Sequence, residues 1–428
     1  MDEIYSFRLM KPKTFMLIAG ETSGDLLAAE LVAALREQCS ILHPSSAPVF
    51  FGAGGGKMAA AGVDLAFDLT QHSVIGITDV LKKYFKFRQL FHQLLALAIE
   101  RKPDVVIGID FGGFNLRFGQ AVKHYIRENP FVNWNPKIVQ FVSPQVWASR
   151  PGRADKLARD YDLLLSIFPF EKDWYAQRVP KLRVEFVGHP MIGRFANDDL
   201  LPARRTSEAG SSRGNEGQIE IGNRKFEIGN KLETPPVVAY KSILLLPGSR
   251  KSELQRHLPV MLAAVKSIQE KLPAAKVKMV LPNPALVPLA QSLGANVEIQ
   301  IGELPWALTE SDVAIASTGT VTMECAFFGV PTVTLYKTSW LTYQIARRIV
   351  TVKSLTMPNL LAGEPVYPEF IQNDATPENL ARAALALLQD PIRREIIKVQ
   401  LAKIILSLGE PGAAGRAAAA VLSLLPSI

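Results

Sequence analysis

Eight short runs of Val, Ile and Leu set the limits on what this chain can fold into: "TFMLIAG" (14–20), "DVVIGID" (104–110), "KIVQFVS" (137–143), "DLLLSIF" (162–168), "SILLLPGS" (242–249), "KVKMVLP" (276–282), "DVAIAS" (312–317) and "PTVTLY" (331–336). In these runs apolar residues follow one another without alternation, the pattern of a strand covered on both faces. The segments between them carry helical periodicity, so strand and helix alternate and the fold class is α/β, with parallel sheets built from βαβ units. The runs fall into two series of four. At 428 residues the chain exceeds what one hydrophobic core usually serves, and two Rossmann-like halves, over 12–200 and 237–375, are the simplest organisation. Between them "ARRTSEAGSSRGNEGQIEIGNRKFEIGNKLETPP" (203–236) is polar, rich in Gly and Ser and carries a near-duplicated "EIGN", which predicts a flexible linker or surface insertion. Residues 376–428 read as C-terminal helices, the last within "PGAAGRAAAAVLSLLPSI" (411–428).

Charge and cysteine usage narrow the function. Lys and Arg outnumber Asp and Glu by 48 to 40, giving +8, which suits an anionic partner. The basic residues are scattered and no nucleic-acid motif accompanies them, so nucleic acid is not expected. Cys39 and Cys325 lie far apart, no leader with a small-residue cleavage site is visible, and a reducing cytosol is the expected compartment. No apolar run reaches the roughly 18 residues of a membrane span. His72 in "QHS" and His189 in "GHP" lack Cys, His or Asp neighbours at ligand spacing, which points to structural roles and to no required metal.

Chemistry gathers past the carboxyl ends of parallel strands, and there "VVIGIDFGGFN" (105–115) sets Asp110 after a buried run. "AGETSGD" (19–25) adds Glu21, Ser23 and Asp25 around a strand-to-helix turn, and "FVSPQVWASRPGR" (141–153) adds Ser143 and Trp147. In the second half "LLLPGSRKSE" (244–253) offers Gly248, Ser249 and Arg250, and "IASTGTVTMEC" (315–325) offers Ser317, Thr318, Gly319 and Thr320. Small residues at such turns leave backbone N–H groups for phosphate, Arg250 supplies a charged fork, and Glu324, one turn into the following helix, can accept from ribose hydroxyls. Each turn alone also reads as ordinary helix capping. Two in one half, one with an Arg and one with a Glu, have the features of a nucleotide diphosphate site. The P-loop pattern is absent, and "GAGGGKM" (52–58) reads as a permissive loop. In "VLKKYFKFRQLFHQLL" (80–95), Val80, Tyr84, Phe87, Phe91 and Leu94 fall at spacings of 4, 3, 4 and 3 with Lys and Arg around them. That stripe fits a helix lying on anionic lipid or one facing the core, and "SWLTYQIARRIV" (339–350) invites the same two readings.

The ordered blocks "AGETSGD", "GITDV" (76–80), "PDVVIGIDFGGFN", "VSPQVWASRPGR", "FPFEKDWY" (168–175), "FVGHP" (186–190), "LLPGSRKSE", "STGTVTMEC" and "MPNLLAGEPVYPEFIQ" (357–372) resemble the lipid-A-disaccharide synthase family. The resemblance spans the chain except 203–236. It implies a glycosyltransferase type B fold, two Rossmann-like domains facing across a cleft, with the acceptor in the N-terminal domain, the UDP-sugar in the C-terminal one, and a last helix that packs back on the N-terminal domain. The reaction it implies joins UDP-2,3-diacylglucosamine to the 6-hydroxyl of 2,3-diacylglucosamine 1-phosphate (lipid X) with inversion, releasing UDP and needing no cofactor. The roles it implies are Asp110 as base, Arg250 with the Thr318–Thr320 turn on the departing UDP, Glu324 on the ribose, and Asn359 on a face of the site. Glu21, Ser23, Asp25, Ser143 and Trp147 would stand on the acceptor side. Acylated substrates imply peripheral association with an anionic inner-membrane surface from the cytoplasm, with Tyr84, Phe87 and Phe91 as contacts; a homodimer is the remaining partner expectation. Gly112 and Gly113 stand where the family commonly has Pro and Asp, and "WASRPGR" replaces "WAWRPGR". The role of that second acid has no counterpart here. A UDP-N-acetylglucosamine epimerase-like enzyme or related transferase would share the donor half but not the first-half blocks.

Overall fold

A computed structural model describes residues 12–42, 46–70, 80–195, 218–221, 224–227 and 241–426, with backbone alone at 42, 80–85, 218–221 and 224–227. Seven parallel strands form the first sheet: β1 (Thr14–Ala19), β2 (Val49–Gly54), β3 (Asp64–Asp68), β4 (Val105–Ile109), β5 (Lys137–Phe141), β6 (Leu163–Ser166) and β7 (Val184–Phe186), in the order 3-2-1-4-5-6-7. A hairpin follows, β8 (Gln218–Ile221) paired antiparallel with β9 (Arg224–Glu227). The second sheet holds β10 (Ser242–Leu246), β11 (Lys276–Leu281), β12 (Glu298–Ile301), β13 (Val313–Ser317), β14 (Thr332–Tyr336) and β15 (Glu369–Ile371), in the order 12-11-10-13-14-15. Both sheets reverse strand order at their centre, and ligands of doubly wound folds collect at that switch point. The switch lies between β1 and β4 in one sheet and between β10 and β13 in the other.

The central strands obey their composition. β4 is buried at every position and β1 at all but its first, so helices must cover both faces. The flanking strands β3, β12 and β15 carry Asp or Glu and stay only partly buried. The "GAGGGKM" segment is not the loop its glycines suggest: Gly52 and Gly54 belong to β2, and helix α2 (Gly56–Ala60) begins at Gly56. Gly52 has φ 149°, and a Cβ there would strike the carbonyl oxygen of Leu17 on the neighbouring strand. Glycine is required by that close approach rather than by a turn. The hairpin β8–β9 lies within the 203–236 segment expected to be a flexible linker or surface insertion.

The long helix α1 (Thr22–Leu42) follows β1, and the C-terminal helix Ala413–Leu422 packs along it, with Gln38 Nε2 donating to the Gly415 carbonyl at 2.8 Å. His189 sits at this junction: its amide donates to the Leu408 carbonyl, and its Nδ1 accepts from the amide of Met191. Burial holds its imidazole neutral, down to about 4. Cys39 and Cys325 are buried free thiols. No helix among the described residues is long and apolar enough to cross a membrane.

The helix α3 (Val80–Arg101) brings part of its stripe against neighbouring aromatics. Phe91 packs edge-on against Phe114 and Phe118 at 5.3 and 5.6 Å, and Phe87 meets Phe111 at 6.2 Å. Those partners belong to Phe111 and the helix α4 (Gly112–Glu128) that follows it; Phe91 packs half-buried against the first-half core, and Phe87 is half-buried beside Phe111. A period of 3.6 fixes which residues share a face but not what that face meets. The Tyr84 side chain, His72 and 76–79 lie outside the described residues.

Candidate active site

Asp110 stands directly after β4. Its φ is 48° and that of Phe111 is 43°, both left-handed. For residues with a Cβ this conformation costs on the order of 1 kcal/mol each and persists only where neighbours enforce it. Here they do. The Asp110 carbonyl accepts from Asn115 Nδ2 and Gln140 Nε2, each at 2.9 Å, while its amide donates to the Phe141 carbonyl. The Phe111 ring covers Gly20, where any Cβ would collide with it. The Asp110 carboxylate is left with the Phe111 amide as its hydrogen-bond donor, and burial, reinforced by the nearby Glu21, raises its pKa above the ordinary carboxylate range. Sequence reasoning missed Asn115 and Gln140; an Asn five residues after an acid at a strand end was the available signal.

Glu21 connects the halves. Its carboxylate lies 3.8 Å from the Arg250 guanidinium, and both side chains are substantially exposed. Such a pair is worth little to stability, about 0–1 kcal/mol, but it marks how close the second-half Arg comes to the acid beside Asp110. Arg250 also reaches Glu253 at 3.2 Å. Glu253 in turn accepts from the amides of Ser249 and Arg250 at 2.9 and 3.2 Å, forming a capping box on the helix Lys251–Lys271. Two of the N–H groups expected to face phosphate at that turn, those of Ser249 and Arg250, are therefore engaged by the chain's own acid. His257, fully buried ten residues on, approaches the Pro247 carbonyl at 3.0 Å with Nδ1 and accepts from the Lys337 amide at 3.0 Å with Nε2, tying this turn to the loop after β14.

At the end of β13, Ser317 is buried, and Gly319 and Thr320 are exposed, with Gly319 at φ 151°. The Thr318 amide is used by the Leu335 carbonyl, and Thr322 Oγ1 donates to the Gly319 carbonyl. Glu324 follows in the helix Val321–Phe327. Burial pushes its carboxyl up to about 7, opposed by Arg194 from the first half. Arg194 is itself held by Glu30 through two bonds of 2.7 and 3.0 Å.

Four expected site residues are occupied elsewhere. Asp25 is buried and accepts from the amides of Gly55, Lys57 and Met58 at 2.8–3.0 Å, so it caps α2. Asn359 spends both sides of its amide on Tyr367 and Glu369, each at 2.8 Å, and clamps the loop before β15. Ser143 is buried against the Tyr175 hydroxyl, and Trp147 donates its indole N–H to Glu171 at 2.9 Å beneath the "SPQVWASRPGR" loop. Ser23 is exposed on the first turn of α1. Among the described residues, no three His, Cys, Asp or Glu side chains are grouped to hold a metal ion.

With two doubly wound sheets and this acid–Arg–acid cluster, the chain compares with known proteins along its whole length. The family described as lipid-A-disaccharide synthetase matches residues 15–233 and 230–422. The lipid-A-disaccharide synthase of Myxococcus xanthus is 34% identical over 430 residues, covering 98% of this chain and 99% of that one. Among solved structures, the S. aureus MnaA–UDP co-structure aligns over 97% of this chain and 98% of its own with TM-score 0.60 at 15% identity. The glycotransferase of kitacinnamycin aligns over 97% of this chain and all of its own (100%) with TM-score 0.55 at 18% identity. At such identities the structural likeness speaks for the two-domain fold alone, common to epimerases and transferases. The full-length sequence matches decide between them: the chain belongs to the lipid-A-disaccharide synthetase family.

Proposed function

We propose that this enzyme of lipid A disaccharide synthesis transfers 2,3-diacylglucosamine from UDP to the 6-hydroxyl of 2,3-diacylglucosamine 1-phosphate, with Asp110 as the base. The observation that carries this reading is the carboxylate of Asp110, desolvated and with only the Phe111 amide as donor among the described residues, beside Glu21, whose carboxylate in turn meets Arg250 of the second half. A general base works best with a pKa drawn towards the operating pH, and burial raises Asp110 in that direction. Displacement at the anomeric carbon sends the electron pair to UDP. Arg250 meets that charge as a fork on the diphosphate, exchanging Glu21 for phosphate oxygens, while the Ser317–Thr320 turn lines the same edge. Glu324 accepts from the ribose hydroxyls. Family membership supports a UDP-sugar donor and a lipid acceptor; the acyl groups, peripheral attachment to the cytoplasmic side of the inner membrane and a homodimer belong to the proposal.

The test is radiolabelled transfer in detergent micelles by the wild type and by Asp110→Asn, with UDP binding measured on both. Disaccharide from the wild type, and a rate lowered about 10²–10⁴-fold in a variant that still binds UDP, is the expected result. Equal rates would move the base to Glu21, since Asp25 caps α2. No product from a wild type that binds UDP would return the chain to the wider group of sugar-nucleotide enzymes.

A further inference from the structure

The helix Trp340–Ile349 has no buried residue, although half of it is apolar. Trp340, Leu341 and Ile345 are 69%, 64% and 51% exposed, which makes this the most exposed aromatic–aliphatic cluster on a single helix turn among the described residues. Two of these positions are followed seven residues later, and so on the same face, by arginine: Arg347 after Trp340 and Arg348 after Leu341. Both arginines are exposed, and no ion pair engages them among the described residues. From Lys337 to Gly363 the sequence contains Lys337, Arg347, Arg348 and Lys353 but no Asp or Glu. The helix ends on the first half: the Thr351 amide and hydroxyl donate to the Ala148 carbonyl at 2.9 and 3.2 Å, fixing it beside the "SPQVWASRPGR" loop.

We infer that this helix docks the protein on an anionic phospholipid surface, Trp340, Leu341 and Ile345 entering the interface and Arg347, Arg348 and Lys353 meeting lipid phosphates. An apolar first turn with arginines closing the same face fits such a surface better than a protein groove, because the long Arg side chains keep their charges at headgroup level while their stems follow the apolar residues. The uncompensated positive charge complements an anionic bilayer. The inference deepens the membrane part of the reading above and rests on it for its biological sense, but binding itself needs no sugar substrate.

The experiment is co-sedimentation of the full chain with vesicles of phosphatidylethanolamine and phosphatidylglycerol and, separately, of phosphatidylcholine. The triple variant Trp340→Ser, Leu341→Ser, Ile345→Ser is expected to lower partitioning onto the anionic vesicles about tenfold or more, with its melting temperature unchanged. Arg347→Gln with Arg348→Gln is expected to abolish the preference for anionic over zwitterionic vesicles. Partitioning of the triple variant equal to the wild type overturns the proposal, as does a wild type indifferent to lipid charge. So does a loss of self-association in the triple variant, which would make this face a contact between two copies. Transfer in micelles separates the two readings: the triple variant keeps the wild-type rate if the helix serves docking alone, and a wild type inactive in micelles condemns the proposed reaction while leaving the vesicle result intact.

Discussion

The two sheet edges solve the same problem with the same pair of devices. Beside the first sheet, Asp25 is held by three backbone amides while Asp110, close by, is almost bare. At the second, Glu253 takes the amides of Ser249 and Arg250 while Glu324 has burial without a hydrogen bond to offset it. Four acids thus divide by their partners rather than by their positions in motifs. A carboxylate given amide donors is a staple; one stripped of water and given little in return costs stability, and such a residue at a strand end is placed for chemistry. The edges differ in backbone: Asp110 is held in a left-handed conformation, whereas Glu324 rides an ordinary helix turn.

The strongest test of this division exchanges the fates of the two first-edge acids. Asp110→Asn is expected to cut turnover about 10²–10⁴-fold at nearly unchanged melting temperature. Asp25→Ala is expected to do the reverse, costing about 2–4 kcal/mol in denaturant titrations, because it strands buried amides at the start of α2, while the turnover of the protein that remains folded stays within a few-fold. Equal losses of turnover in both variants would dissolve the distinction. At the second edge the expected effect is smaller. Glu324→Gln keeps the acceptor oxygen but not the charge, so KM for the UDP-sugar should rise about tenfold with kcat little altered, consistent with the loss of one charge-assisted bond. A fall in kcat alone would place Glu324 on the reacting atoms instead.

Much of this was legible in the sequence, and what was not has physical reasons. The eight apolar runs all became strands, since double-sided burial leaves continuous Val and Ile. Five further strands of the two sheets escaped notice: β2, whose glycines imitate a loop, and β3, β7, β12 and β15, short and partly polar because they lie towards the sheet margins. Motifs located Asp110, Arg250 and Glu324 at the strand ends. They could not tell a free carboxylate or amide from a spent one, which is why Asp25 and Asn359 were read as site residues; their partners at Gly55 to Met58 and at Tyr367 are remote in pattern and adjacent only in space. The two basic amphipathic stripes, on α3 and at Trp340–Ile349, look alike in sequence for the same reason; on the first Leu94 is buried and Phe91 packs on Phe114 and Phe118, whereas the second has no buried residue.

Glu171 gives the finest test, because it is a buried acid in the first turn of the helix after β6 with no basic residue facing it among the described residues. It is fully buried, its Oε1 accepts from Trp147, and its Oε2 has no hydrogen-bond partner. Burial lifts its carboxyl from 4.5 to about 7, against the pull of hydrogen bonds from Trp147, Ser143 and the Phe168 backbone. The folded state therefore binds this proton more tightly than the unfolded chain does. The stability it contributes is complete below about pH 4.5 and is lost as the pH rises through about 7. Glu171→Gln keeps an oxygen for Trp147 and removes the titration, so the difference in melting temperature between variant and wild type should move in the variant's favour from pH 5 to pH 8. A difference that stays constant would mean that the site ionises no differently when folded. If it moves while micellar turnover holds, Glu171 supports the "SPQVWASRPGR" loop through Trp147 without taking part in transfer, and burial beside a strand end does not by itself make a site: it must coincide with a facing charge.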